Sequence, residues 1–220
     1  MGNRLSVFRK ADIVYRLKVP KDLPVAIDGR SADIAVSNIG GSISVNSHYG
    51  SVEIKKIAGD AVEIEGSMGA VTLQDIHCRT LNCRLKMGAL EADRISAQTY
   101  TIATKAGAVK ARNITGNGVV ETKLGAVNLA GVVGDLEVST KMGEIAVDID
   151  EYIEDTRFVF STKMGRVKLR LPESPVPFFI INSDGGIGSI ENDFNVDKPG
   201  DKAPVIKITA KLGEIEITKK

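Results

Sequence analysis

A glycine recurs at nearly fixed intervals along this chain, each time in similar surroundings: Gly50, Gly69, Gly88, Gly107, Gly125, Gly143, Gly165, Gly188 and Gly213. Successive gaps are 19, 19, 19, 18, 18, 22, 23 and 25 residues. A fixed period of about 20 residues belongs to a chain that stacks on itself rather than wrapping one compact core. The segment Leu136-Glu137-Val138-Ser139-Thr140-Lys141-Met142-Gly143-Glu144-Ile145-Ala146-Val147 is a clean copy of the unit. Apolar and polar residues alternate on both sides of its glycine, which predicts strand, turn, strand with one face buried.

Aligned on the glycines, the repeats give apolar columns. Two places after the glycine stand Val52, Val71, Leu90, Val109, Val127, Ile145, Val167, Ile190 and Ile215. Five places before it stand Val45, Ile64, Cys83, Ile102, Val120, Val138, Phe160, Ser183 and Ile208, with Ser183 the one polar break. Just before it stand Tyr49, Met68, Met87, Ala106, Leu124, Met142, Met164, Ile187 and Leu212, expected to point inward as well. A further column between repeats runs Ile57, Ile76, Ile95, Ile114, Val133, Ile153. One unit cannot bury its inner face alone, but units stacked in register cover one another at ~4.8 Å per level. The predicted fold is therefore all-β, a single-stranded parallel β-solenoid of about ten rungs of 18–25 residues. It includes a degenerate first rung, Val25-Ala26-Ile27 and Ile34-Ala35-Val36, with Ala32 in the glycine's place. No window shows the apolar spacing of an amphipathic helix. An antiparallel sandwich would not generate identical columns.

The glycine column reads as a structural corner needing positive φ or leaving no room for Cβ. A second corner holds Gly59, Cys78, Ala97, Gly116 and Gly134. Residues 1–24 precede the repeat domain at 25–220, and Val14–Val19 alternates like a strand before Pro20 and Pro24, predicting an N-terminal cap. Lys219-Lys220 places charge beside the last strand, which is expected to discourage end-to-end growth. Five of the seven prolines fall at Pro172, Pro175, Pro177, Pro199 and Pro204, marking loops at 171–177 and 192–204.

Composition bears on function chiefly by exclusion. With 29 basic and 28 acidic residues the net charge is +1, so no global field favours nucleic acid. Cys78 and Cys83 fall on repeat positions held elsewhere by small or apolar side chains and read as core residues rather than a disulfide. His48 and His77 occupy different repeat positions and imply no metal pair or catalytic dyad. Asp184-Gly185-Gly186-Ile187-Gly188, with Asp193, Asp197 and Asp201 nearby, resembles a glycine-rich calcium turn, but occurs once and out of phase. Glu63/Glu65 and Asp148/Asp150 read as solvated strand faces. No catalytic residue, metal site or cofactor is expected.

The chemistry-bearing pattern that remains is a lysine column. Lys86, Lys105, Lys123, Lys141 and Lys163 stand two places before the glycine in consecutive repeats, and Lys211 returns there in the last. Arg30 and His48 hold the place early in the chain, and Thr104, Thr122, Thr140 and Thr162 form a neighbouring column. Stacked cations repel unless screened, so the column is either a solvated turn or the face of a linear anionic partner.

At Thr-Lys-Met-Gly-Glu-Ile-Ala-Val (140–147), Thr-Lys-Leu-Gly-Ala-Val-Asn-Leu (122–129) and Thr-Lys-Met-Gly-Arg-Val-Lys-Leu (162–169), the chain resembles the bacterial adhesin-like, β-strand-repeat domains of unknown function. The lead-in Leu17-Lys18-Val19-Pro20-Lys21-Asp22-Leu23 is similar to theirs. The resemblance implies a parallel β-solenoid and, through relatives that accompany envelope-stress systems, a sensing or scaffolding role at the cell surface. The expected function is non-catalytic binding or scaffolding, with an unidentified protein or envelope polymer as partner. Alternatives are an anion-binding module acting through the lysines, a carbohydrate-active β-helix enzyme, and polymerisation through the rod ends. No segment reaches the ~18 apolar residues that span a bilayer, and no signal-like apolar run follows Met1. As written the chain is expected in the cytoplasm, or at the cell surface if it is an excised domain.

Overall fold

The computed structural model describes residues 15–153, 155–183, 188–194 and 203–220. Among them there is no helix, and seventeen strands follow one another. They are β1 (Val25–Gly29), β2 (Ile34–Ile39), β3 (Ile43–Tyr49), β4 (Val52–Ala58), β5 (Ala61–Met68), β6 (Val71–Met87), β7 (Leu90–Ala106), β8 (Val109–Leu124) and β9 (Val127–Val133). Then come β10 (Leu136–Met142), β11 (Ile145–Ile149), β12 (Arg157–Met164), β13 (Val167–Leu171), β14 (Phe178–Ser183), β15 (Ile190–Asn192), β16 (Val205–Leu212) and β17 (Ile215–Lys219). The fold is the parallel β-solenoid that the repeat predicts.

Two parallel ladders build it. The strand before each glycine belongs to the first, which runs β1-β3-β5-β6-β7-β8-β10-β12-β16-β14. The strand after each glycine belongs to the second, which runs β2-β4-β6-β7-β8-β9-β11-β13-β17-β15. Strands β6, β7 and β8 pass unbroken through the second corner and serve both ladders. Inward residues of the two ladders, such as Val52, Ile54, Ile57, Ile64 and Cys83, meet in one narrow core.

At the glycine corner the ladder continues without interruption. Gly107 N–H donates to the Leu124 carbonyl at 2.9 Å and Gly125 N–H to that of Met142 at 3.0 Å, and the pattern repeats at each level from Gly50 to Gly165. Eight of the column glycines, Gly50 through Gly165 and Gly213, have φ between 118° and 151°, a region that side chains resist. An added Cβ at any of these eight would lie 1.9 to 2.3 Å from the carbonyl oxygen of the residue beneath, which is Ala32 under Gly50 and a glycine elsewhere. Conformation and close approach therefore both exclude a side chain.

The second ladder carries a bend that alternation does not predict. Asn38, Lys56, Asp75, Arg94 and Asn113 all have φ between 54° and 59°, and Gly131 follows at 67°. Each inserts one extra outward residue, so that Ile54 and Ile57 both point inward with Lys55 and Lys56 between them. Two column assignments change in consequence. Val132 rather than Val133 is the buried residue paired with Ile114. Ile149, which pairs with Val132 because β11 lacks the extra residue, takes the place expected of Ile153, and Ile153 is exposed.

The order of the last two levels is transposed. β16 and β17 pair directly with β12 and β13, and β14 and β15 pair with their far side. Gly165 N–H donates to Leu212 at 3.0 Å, so the level of Gly213 sits on that of Gly165, with Gly188 beyond. The segment 172–177 carries the chain past this level to β14, while most of the expected loop at 192–204 lies outside the described residues. Register also removes the apparent break at Ser183: Ile181 pairs with Ile208, and Ser183 is exposed. Lys220 is not at a free end either. Its amine reaches Asp148 at 2.5 Å and also pairs with Asp150, and its N–H donates to Leu171 at 2.9 Å.

At the other end no strand forms over residues 15–19, the described part of the expected capping strand, and Tyr15 and Leu17 are exposed. Lys21–Pro24 instead covers a corner. The Lys21 carbonyl accepts from Gly40 N–H at 2.7 Å, and the Leu23 carbonyl lies 2.4 Å from where a Gly41 Cβ would stand.

Cross-level polar contacts hold the second corner. Arg79 grips Asp60 with two bonds of 2.8 Å, and Asn117 accepts from the Asp135 N–H at 3.2 Å. Inside the core, three places before the glycine, Thr104, Thr122, Thr140 and Thr162 are buried in line, and their hydroxyls have no hydrogen-bond partner among the described residues. The level spacing of ~4.8 Å is too long for one hydroxyl to reach the next.

Gly107→Ala or Gly125→Ala should cost more than about 3 kcal/mol in urea unfolding, while Ala108→Ser alongside should change stability by less than about 0.5 kcal/mol. Amide hydrogen exchange should find Val205–Leu212 as slow as Arg157–Met164, with Phe178–Ser183 faster; the reverse ranking would mean that levels stack in chain order. Thr122→Val replaces an unpartnered buried hydroxyl by a methyl group and should raise stability by about 1 kcal/mol. A loss there would show that the hydroxyl is hydrogen-bonded in solution.

Candidate lysine groove

The outward residues of the first ladder form an elongated groove. Lys86, Lys105, Lys123, Lys141 and Lys163 line it on one side. Outward residues two places earlier, including Arg84, Glu121, Ser139 and Ser161, line the other. Thr104, Thr122 and Thr140 contribute to its floor, and its volume is about 770 Å³. The five lysines are exposed, and they make no ion pair among the described residues.

Register makes the lysine column longer than the sequence order implies. Met87, Ala106, Leu124, Met142, Met164 and Leu212 are successive partners along the first ladder. The lysines that precede them therefore stack in the same order, and Lys211 follows Lys163 directly because β16 lies on β12. Six cations thus occupy six consecutive levels.

The column just before the glycine is where the sequence reading fails. It was expected to point inward; instead Tyr49, Met68, Met87, Leu124, Met142, Met164 and Leu212 are 39% to 51% exposed, and Ala106 is half-buried. Strict alternation places this position inside with the residues three and five places before the glycine. The corner breaks that parity, leaving two consecutive residues, lysine and its apolar neighbour, on the outside. The signal that could have shown it is the threonine column, which already occupies the inward position.

Elsewhere among the described residues several charges are paired across levels. On the second ladder Lys168 pairs with Glu216 at 2.8 Å and Arg170 with Asp148 at 3.6 Å. Asp60 and Asp75 are held below the usual carboxylate range by hydrogen bonds from Arg79 and Arg94, and Asp33 by the backbone and hydroxyl of Ser51. These shifts favour the charged form, the reverse of what a general acid needs. Burial pushes the Cys78 thiol up to about 11, with Asp60 adding to it, and Cys83 up to about 12; both are free. His48 and His77 lie on different ladders. Among the described residues there is no cluster of three or more metal-ligating side chains. The expected calcium-like turn lies outside the described residues except for Gly188 and Asp193.

No curated protein matches this chain, and no solved structure does. The family model described as Toastrack DUF4097 matches residues 1–220. The chain therefore belongs to the Toastrack family, a family of domains of unknown function.

Proposed function

We propose that this chain is a non-catalytic, adhesin-like binding rod that presents a column of cations to an extended anionic partner in the bacterial envelope. The observation that carries the reading is the lysine wall of the groove, five cations on successive levels without an acidic partner among the described residues. Like charges held one strand spacing apart repel, and a linear anion relieves that repulsion at every level at once. The rigid ladder fixes the spacing of the lysine stems, so little backbone order is lost on binding. A non-catalytic role is supported by the regular solenoid fold of a Toastrack chain. The likeness to repeat domains that accompany envelope-stress systems supports an envelope partner.

Wild-type protein should be retained on phosphocellulose at low salt and released as salt rises. The combined change Lys105→Glu, Lys123→Glu, Lys141→Glu should abolish retention with the far-ultraviolet circular dichroism unaltered. Equal retention of the variant would overturn the reading.

A further inference from the structure

The lysines are only half of what the glycine corner exposes. Immediately beside them runs the apolar column, and over four levels it is broadened by Ala70, Ala89, Ala108 and Ala126, which follow the glycines. Ala70, Ala89 and Ala108 are exposed and Ala126 is half-buried. From Tyr49 to Leu212 the apolar line crosses eight successive levels, roughly 34 Å at ~4.8 Å each. Scattered exposed apolar residues are ordinary on a protein surface, but an uninterrupted line of them is not. The strip narrows where Glu144, Arg166 and Glu214 replace the alanines, and there Arg166 pairs with Glu214 at 2.5 Å.

We infer that this corner is a membrane-docking edge, and that its occupant is the surface of a bilayer rich in anionic phospholipid. The inference rests on the lysine-column reading and names the partner it leaves open. A soluble polyanion would satisfy the lysines but gain nothing from the thioether and leucine side chains next to them. A bilayer interface offers both halves side by side, anionic headgroups at one depth and hydrocarbon just below. Met68, Met87 and Leu124 enter the hydrocarbon boundary from the apex of the corner. Lys86, Lys105 and Lys123 lay their stems along the same edge and return their amines to the phosphates. The ladders hold successive levels in unbroken register, so many weak contacts add without further loss of rigid-body freedom. The second ladder, with its paired Lys168 and Arg170, faces water.

Two binding measurements separate this inference from the reading beneath it. Wild-type protein should co-sediment with vesicles of phosphatidylglycerol and phosphatidylcholine, and not with phosphatidylcholine alone. The triple variant Met68→Gln, Met87→Gln, Leu124→Gln changes only exposed side chains. It should lose vesicle binding by at least about tenfold while keeping its retention on phosphocellulose. The triple lysine-to-glutamate variant should lose both. Vesicle binding by the glutamine variant equal to wild type would overturn the docking edge, as would phosphocellulose retention by wild type without vesicle binding; in both cases the anion reading stands. Failure of wild type on both supports would overturn the two together.

Discussion

At each glycine corner one backbone lies directly on another, so close that the carbonyl of one level occupies the space a side chain of the next would need. That contact sets the pitch of the whole rod. Because the corner residues are superimposed, the strands that leave them begin in register, and every inward side chain falls on its counterpart in the next level. The hydrophobic columns are therefore a consequence of the corner as much as of the apolar residues in them. A bulky residue is accommodated by its neighbour rather than by a change of spacing: Gly118 leaves room for the ring of Tyr100 one level away, where a Cβ would stand 1.9 Å from the ring carbon Cζ.

The same corner decides what the surface offers. A strand that simply alternated would hide every second residue up to the turn. Here the last inward place is taken by Ser47, Gly66, Leu85, Ala210 or a threonine, and the two residues that follow are both turned to the outside. Repetition then converts an accident of one turn into two long parallel stripes, one cationic and one apolar. The proposed binding edge is thus a by-product of how the solenoid turns, which explains why it needs no buried titratable group and no departure from the repeat.

Much of this was legible in the sequence. Val52, Val71, Leu90, Val109 and their successors announce a stacked core because a shared inward position leaves each of them few alternatives. The glycines and lysines align for the same reason. What could not be read is what side-chain chemistry does not encode. Met68 and Met142 are apolar on either side of a backbone, so their exposure depends on parity at the corner. The bends at Lys56, Asp75 and Arg94 share a left-handed conformation but no residue type. The transposed levels were hidden because the segments around Gly188 and Gly213 each carry the repeat signature, which does not say on which level each one stacks. Only the prolines before β14 and after β15 hinted that the chain travels farther there.

That transposition sets an order of assembly opposite to the order of synthesis. The segment containing β14 and β15 leaves the ribosome first, yet its place in the stack is defined by β16 and β17, which emerge last. Its native partners are β16 and β17 alone, so its docking surface exists only once those strands are in place. The end level among the described residues is thereby a piece of chain that is internal in sequence. The last strand in sequence, β17, is instead held between β13 and β15, with a ladder partner on each side.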